Sequence, residues 1–108
     1  MKTAEKPLLF GYHSARSGLP IEHLMDVRTK LTAFASAEGY ALAGIFSEAT
    51  EQPATALQAL LESAERRHVE AVAVPSLEDL GANWGVQQLA RKRLADAGVR
   101  LLVLVGGA

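Results

Sequence analysis

The chain has 108 residues, 49% of them hydrophobic and 6% aromatic, which is the composition of one globular domain with a core of small aliphatic side chains. Its 11 Lys and Arg residues against 12 Asp and Glu residues give a formal charge of −1, so it lacks the overall basic character that tight nucleic-acid binding uses. The absence of cysteine excludes disulfides, thiolate nucleophiles and cysteine-based zinc sites.

No apolar run approaches the ~20 residues that cross a bilayer, and Glu5 and Pro7 interrupt the stretch where a secretory signal would be apolar. We therefore expect a cytoplasmic protein with no membrane partner. We expect residues 1–108 to form a single domain with flexible tails at residues 1–6 and 106–108, and without a DNA-binding domain.

Strand and helix signals alternate along the chain. The predicted strands are residues 8–13, 40–46, 69–74 and 99–105. The intervening helices are predicted to begin at Pro20, Pro53 and Asn83, and Gly39 and Gly98 are predicted to end the first and the third. This alternation indicates an α/β fold, a three-layer αβα sandwich whose four-stranded parallel sheet has the order 2-1-3-4.

Apolar residues at steps of three and four predict the buried stripe of each helix. The three stripes are Leu24, Val27, Leu31 and Phe34, then Leu57, Leu60, Leu61 and Ala64, and finally Leu89, Ala90, Leu94 and Ala97. Trp84, the only tryptophan, is predicted to cover the edge of the core at a helix start. A stacking surface shared with Tyr12 and Tyr40 is the alternative.

A polar stretch follows the first predicted strand, at the sheet edge where α/β folds bind ligands. Ser14, Arg16 and Ser17 lie in it and could hold an anion at the start of the first helix. The alternative is a solvated loop whose hydroxyls cap that helix.

Acidic residues follow the next two strands. Glu48, Glu78 and Asp79 could together bind a hard divalent cation, but their spacing favours solvated loop carboxylates. His13 is predicted to be packed or to cap rather than to act as a general base. We therefore expect no metal site and no cofactor.

Several short motifs occur together in a fixed order. They are Gly11-Tyr12, Gly39-Tyr40, Phe46-Ser47-Glu48, the segment 57–61 and the segment 76–81. In order and spacing these motifs resemble the N-terminal catalytic domain of the resolvase/invertase family of serine recombinases, over residues 8–105. The resemblance implies a resolvase-like fold.

The family cuts DNA by serine attack on a phosphodiester while arginines hold the phosphate. Its first motif is Tyr-x-Arg-x-Ser. With that motif placed on Tyr12, Ser14 takes the arginine position and Arg16 takes the position of the nucleophilic serine. The resemblance therefore predicts that this motif is not functional as a nucleophile site.

The other arginine positions of the family also differ. Glu48 matches the family's glutamate, but Ala54 stands where the following arginine belongs. The family's Leu-Asp-Arg-Leu-x-Arg falls on residues 77–82, which puts Glu78 at its aspartate and places Asp79 and Ala82 at its two arginines. The sequence also ends after the fourth strand, whereas the family continues into a dimerisation helix and usually a helix-turn-helix domain. We therefore expect a degenerate, truncated member.

Three functions follow from these patterns. The first is a resolvase-like domain without catalytic serine and arginines, a pseudoenzyme that acts as a protein-interaction or regulatory module and binds a protein partner or itself. The second is a small-ligand or nucleotide-binding α/β domain. The third is a DNA recombination protein that uses a rearranged site or DNA-binding partners. The loss of the family's serine and arginines, as the resemblance implies it, favours the first and argues against catalysis, and the near-neutral charge gives DNA binding only weak support.

Overall fold

Parallel strands and helices alternate along the whole described chain. The computed structural model describes residues 6–14, 21–48, 55–81 and 84–104. For residues 21–24, 55 and 78 it describes the backbone alone. The elements are β1 (Leu8–Ser14), α1 (Ile21–Ala37), β2 (Ala41–Glu48), α2 (Thr55–Arg67), β3 (Ala71–Val74), a short 3₁₀ helix (Leu77–Leu80), α3 (Trp84–Asp96) and β4 (Arg100–Val103).

The sheet has the order β2-β1-β3-β4, and every pairing is parallel. The predicted α/β class and strand order are therefore confirmed. The largely buried strands β1 and β3 lie in the middle of the sheet, as expected for strands that are covered on both faces.

Helices cover both faces of the sheet and bury two separate clusters. On one face, α1 packs Val27, Leu31 and Ala35 against Leu9 of β1 and against the alanines of β3. On the other face α2 and α3 pack together against alternate residues of the same strands. That second cluster includes Phe10, Tyr12, Leu57, Leu60, Val72, Val74, Ala90 and Leu94. The result is the predicted three-layer sandwich, because alternate strand residues point to opposite faces.

Two strands reach further toward the carboxyl edge than the sequence predicts. β1 includes Ser14 and β2 includes Ser47 and Glu48, which the sequence pattern had placed in loops. The reason is long-range pairing, since Ser14 lies opposite Glu48 in the register of β1 and β2. The polar residues of the candidate site therefore stand on rigid strands.

Two other strands begin later than predicted. Val69 and Val99 do not start strands, because their amides bond to the carbonyls of Ala64 and Leu94 and close the ends of α2 and α3. β4 ends at Val103, and the predicted strand residue at 105 lies outside the described residues.

Three residues in and just after α3 that were predicted to pack against the core are exposed. Trp84 is 74% exposed and Leu89 is 64% exposed, and Ala97 is also exposed. The helix instead packs through Ala90 and Leu94, one turn apart. Since each residue turns the helix by about 100°, Trp84 and Leu89 lie on opposite flanks of the stripe formed by Ala90 and Leu94, and neither side chain is buried against the sheet. Within the described ranges, no helix combines the length and the apolarity that a membrane span requires.

Candidate functional site at the carboxyl edge of the sheet

Strand ends and the loop after β3 bring four polar side chains to one edge of the sheet. Tyr12 and Ser14 come from β1, Glu48 comes from the end of β2, and Asp79 comes from the 3₁₀ helix that follows β3. This is the edge at which α/β folds bind ligands, so the hydrogen bonds of these groups decide what the edge can do.

Glu48 is a buried carboxylate with a structural set of partners. Only 6% of the residue is exposed, and its Oε1 accepts hydrogen bonds from the Tyr12 hydroxyl and from the Ala56 amide, both at 3.0 Å. Ala56 is in the first turn of α2, where unpaired amides and the helix dipole favour a negative charge. Glu48 therefore ties the ends of β1 and β2 to the start of α2.

Asp79 uses both carboxylate oxygens inside the protein. Oδ1 accepts a hydrogen bond from the Ser14 amide at 2.9 Å, and Oδ2 accepts bonds from the amide and the hydroxyl of Ser76, each at 3.2 Å. An acid that reaches back three residues to an amide at a helix start is one half of a capping box. Asp79 thus caps the 3₁₀ helix and fastens it to the end of β1.

Burial raises the pKa of the Tyr12 phenol well above its ordinary value. The hydrogen bond to Glu48 and the negative charges of Glu48 and Asp79 act in the same direction, while the positive charge of Arg93 opposes them. The phenol is therefore a firmly protonated donor. A tyrosine in this state is unsuited to act as a nucleophile or a general base at neutral pH.

Arg93 lies on the α2 and α3 side of this edge and bridges the two helices. Its Nη2 donates a hydrogen bond to the side-chain oxygen of Gln58. Arg93 is in the last turn of α3, and no pattern within that helix shows that α2 lies beside it.

A second pair faces the α1 side. The Nε2 atom of His13 lies 2.7 Å from the Ser47 hydroxyl, and the two residues are directly opposite in the register of β1 and β2. His13 is 3% exposed, so the prediction that it is packed is confirmed.

Comparison with solved structures places the fold among serine recombinases. The chain is similar to the C-terminal catalytic domain of ISC1926 TnpA, an IS607-like serine recombinase, with 21% identity, a TM-score of 0.76 and coverage of 90% of this chain and 68% of that chain. A resolvase family site-specific recombinase from Streptococcus pneumoniae gives 20% identity, a TM-score of 0.78 and coverage of 95% and 75%. A serine recombinase from Sulfolobus solfataricus gives 13% identity, a TM-score of 0.67 and coverage of 94% and 69%.

The chain has the resolvase-like fold of serine recombinases. The resemblance found in the sequence is thus confirmed at the level of the fold. No protein-family model and no curated protein matches the chain.

The resolvase-like domain brings together three of the predicted site residues, Ser14, Glu48 and Asp79. The expectation that the two acids are solvated loop carboxylates is wrong, because Glu48 is buried in a strand and Asp79 is partly buried and fully engaged. Glu78 lies in the 3₁₀ helix, and only its backbone is described. The remaining predicted positions, Arg16, Ser17, Ala54 and Ala82, lie outside the described residues.

A cation site at this edge gains no support from the geometry. In the described part of the chain, no group of three or more His, Asp and Glu side chains is arranged to hold a metal ion. Oε1 of Glu48 and both carboxylate oxygens of Asp79 accept hydrogen bonds from amides and hydroxyls of the protein instead. The sequence did not reveal Tyr12 and Ser14 as partners, because they come from a strand far away along the chain.

Proposed function

We propose that this chain is a single resolvase-like domain that has lost the catalytic residues of a serine recombinase and serves as a non-catalytic protein-interaction or regulatory module. The observation that supports this most directly is the bonding of Asp79. By the motif correspondence of the sequence, Asp79 stands where the family has an arginine. Here its carboxylate binds the Ser14 amide and Ser76 instead.

Charge argues against phosphate binding at this position. An arginine offers a fork of donors to a phosphodiester, whereas a carboxylate offers only acceptors and repels it. Since Asp79 holds the end of β1 against the 3₁₀ helix, a phosphate could not take its place without breaking those bonds.

The strand end on which the family carries its first arginine is also engaged. Ser14 takes that position, and its amide is already bonded to Asp79 at 2.9 Å. Glu48, the one matching acid, is bonded to Tyr12 and to the start of α2. The polar groups at this edge are therefore engaged in structural hydrogen bonds. This supports an interaction role for other parts of the surface rather than catalysis at this edge.

Incubation with supercoiled DNA over a salt series tests the loss of catalysis. We expect no covalent protein–DNA adduct and no nicking, and any retardation in a gel should vanish as salt rises, because only a charge-based contact remains. A serine recombinase with an intact Tyr-x-Arg-x-Ser motif is the positive control. An adduct that disappears in Ser14→Ala or Ser17→Ala would overturn the proposal.

Sedimentation velocity tests the interaction role. We expect either self-association or a complex with a defined partner peptide. A chain that stays monomeric at all concentrations and binds no peptide would contradict this part of the proposal, whatever the DNA experiment shows.

A further inference from the structure

A groove of about 430 Å³ runs between α3 and the open side of β4. It is lined by Gln88, Arg91, Lys92, Ala95, Val99 and Leu101. Its floor is aliphatic and its rim carries two cations, and it lies along the sheet edge rather than at the carboxyl end where Glu48 and Asp79 are engaged.

The helix side of the groove is one continuous stripe. Gln88, Arg91, Lys92 and Ala95 are spaced by three, one and three residues, so they share a face of α3. Trp84 lies four residues before Gln88 and extends the same stripe toward the carboxyl edge of the sheet. Its indole is 74% exposed. Exposed tryptophan and arginine along one face is the composition that interface hot spots favour.

The strand side of the groove offers backbone hydrogen bonds. In the described part of the chain β4 pairs with β3 and ends the sheet. The amides of Arg100 and Leu104 donate to the carbonyls of Glu70, just before β3, and of Val74 in β3, at 3.0 and 2.9 Å. Because backbone groups of a strand alternate between its two edges, Leu101 and Val103 direct their N–H and C=O groups outward. An added strand could pair with these groups.

The charge of the groove indicates which side chains an added strand would carry. Among the described residues that line the groove, the charged ones are Arg91 and Lys92, both cations. Lys92 shares its charge with Asp96 at 3.3 Å, so Arg91 contributes the less compensated cation. Acidic side chains on the added strand would match this rim.

We propose that the groove between α3 and β4 binds an extended acidic peptide segment of a partner protein, which adds to β4 as a further strand and packs against Trp84. This inference rests on the proposed interaction role and names its surface and partner. Single-stranded nucleic acid also uses aromatic and basic side chains. It does not match the outward N–H and C=O groups of Leu101 and Val103, which a peptide backbone pairs with directly.

Binding of the acidic probe Glu-Val-Glu-Val-Glu-Val-Glu, labelled with fluorescein, is followed by anisotropy at low salt. The indole emission of Trp84 gives a second signal, because the chain has no other tryptophan. We expect saturable binding below about 1 mM and a shift of that emission, as for a weak strand addition. The lysine probe Lys-Val-Lys-Val-Lys-Val-Lys should not bind.

Two variants and one control variant separate the contribution of charge from that of strand pairing. Arg91→Glu should weaken binding by about tenfold, since it reverses a rim charge. Arg28→Glu makes the same charge change on the exposed side of α1 and should leave binding unchanged. Val103→Pro removes an outward amide while the β3 pairing stays, so it should abolish binding in a folded chain.

Several results would overturn the proposal. These are failure of the acidic probe to bind, equal binding of the lysine probe, equal effects of Arg91→Glu and Arg28→Glu, or a shift of Trp84 emission by oligothymidine but not by peptide. Self-association that Val103→Pro abolishes would assign the edge to a second copy instead. The DNA adduct assay with Ser14→Ala and Ser17→Ala judges the loss of catalysis separately, so the two proposals can fail independently.

Discussion

The carboxylate of Asp79 bonds to the amide of Ser14 at 2.9 Å, across 65 positions of sequence. This contact joins the end of β1 to the 3₁₀ helix after β3, at the carboxyl edge of the sheet. The same carboxylate also holds the amide and hydroxyl of Ser76. One acid therefore holds the end of β1 and the start of the 3₁₀ helix together.

Asp79→Ala should lower the free energy of unfolding by about 2 kcal/mol, because it leaves partly buried amides of Ser14 and Ser76 without their charged acceptor. Urea denaturation followed by circular dichroism measures this loss. The stability of Asp79→Asn should lie between that of the unchanged protein and that of Asp79→Ala, since the side-chain amide keeps one acceptor oxygen but loses the charge.

Asp96→Ala is the matched control for Asp79. Asp96 meets Lys92 on the exposed side of α3, with side chains 68% and 73% exposed. Its loss should change stability by no more than about 0.5 kcal/mol. Equal effects of Asp79→Ala and Asp96→Ala would mean that the bonds of Asp79 are not structural.

The strand order could be predicted from the sequence because each strand and helix has its own periodic pattern, and crossovers between parallel strands are right-handed. The residues at which the strands end could not be predicted in this way. Ser14 and Glu48 are polar and resemble loop residues, and only their pairing across 34 positions makes them strand. Local pattern contains no information on such a register.

The candidate site shows the same limit. The motifs identified Glu48 and Asp79 as special positions, but Tyr12 and Ser14, which donate to their carboxylates, come from a distant strand. In α3, Leu89 and Ala90 are neighbours in sequence and belong to two different helical stripes. Only docking against the sheet decides that Ala90 is buried and Leu89 is exposed.

The ionisation of Tyr12 should make the free energy of unfolding depend on pH in the alkaline range. Its pKa is raised in the folded chain by burial and by Glu48, so its contribution is complete below the unfolded value of about 10. Above about pH 10 the unfolded chain releases the phenolic proton while the folded chain keeps it, and stability falls by about 1.4 kcal/mol per pH unit from this group. Urea titrations between about pH 9 and pH 11 measure that slope.

Tyr12→Phe should remove this part of the slope. It should also lower stability at neutral pH by about 1 kcal/mol, because the buried Glu48 loses a donor. Tyr40→Phe is the control, since Tyr40 precedes β2 at the opposite end of the strand from Glu48. If both variants show the same slope, the buried phenol is not the group responsible.

Gly11 lets α1 approach β1 closely. A Cβ at this position would lie 2.8 Å from Cδ1 of Leu31 and 3.2 Å from Cγ1 of Ile45, both in the packed layer. Gly11→Ala should therefore lower the free energy of unfolding by about 1–3 kcal/mol through overpacking. Gly44→Ala on the neighbouring strand meets Phe10 only at 3.7 Å and should cost clearly less.

A double mutant checks the cause of the Gly11 effect. Leu31→Ala leaves a cavity and is destabilising by itself. If the two sites clash as the distances indicate, the Gly11→Ala and Leu31→Ala changes together should cost less than the sum of the two single changes. Simple additivity would contradict the steric explanation.

His68 ends α2 in a conformation that favours glycine. Its φ is +57°, and the following amide of Val69 bonds to the carbonyl of Ala64 as at a left-handed helix end. Gly39 and Gly98 occupy the equivalent positions of α1 and α3, with φ of +85° and +77°. His68 thus occupies a left-handed position at which the other two helices have glycine.

His68→Gly should raise the free energy of unfolding by about 0.5–1 kcal/mol, because relief of the left-handed strain exceeds the added entropy of the unfolded chain. Gly39→Ala and Gly98→Ala make the reverse change at the equivalent positions. Both should be destabilising by about 1 kcal/mol, although nothing lies within 4 Å of either added Cβ, because φ alone opposes the side chain. Thermal unfolding of the three variants under one buffer tests the sign, and a loss of stability in His68→Gly would show that the imidazole makes contacts worth more than the strain.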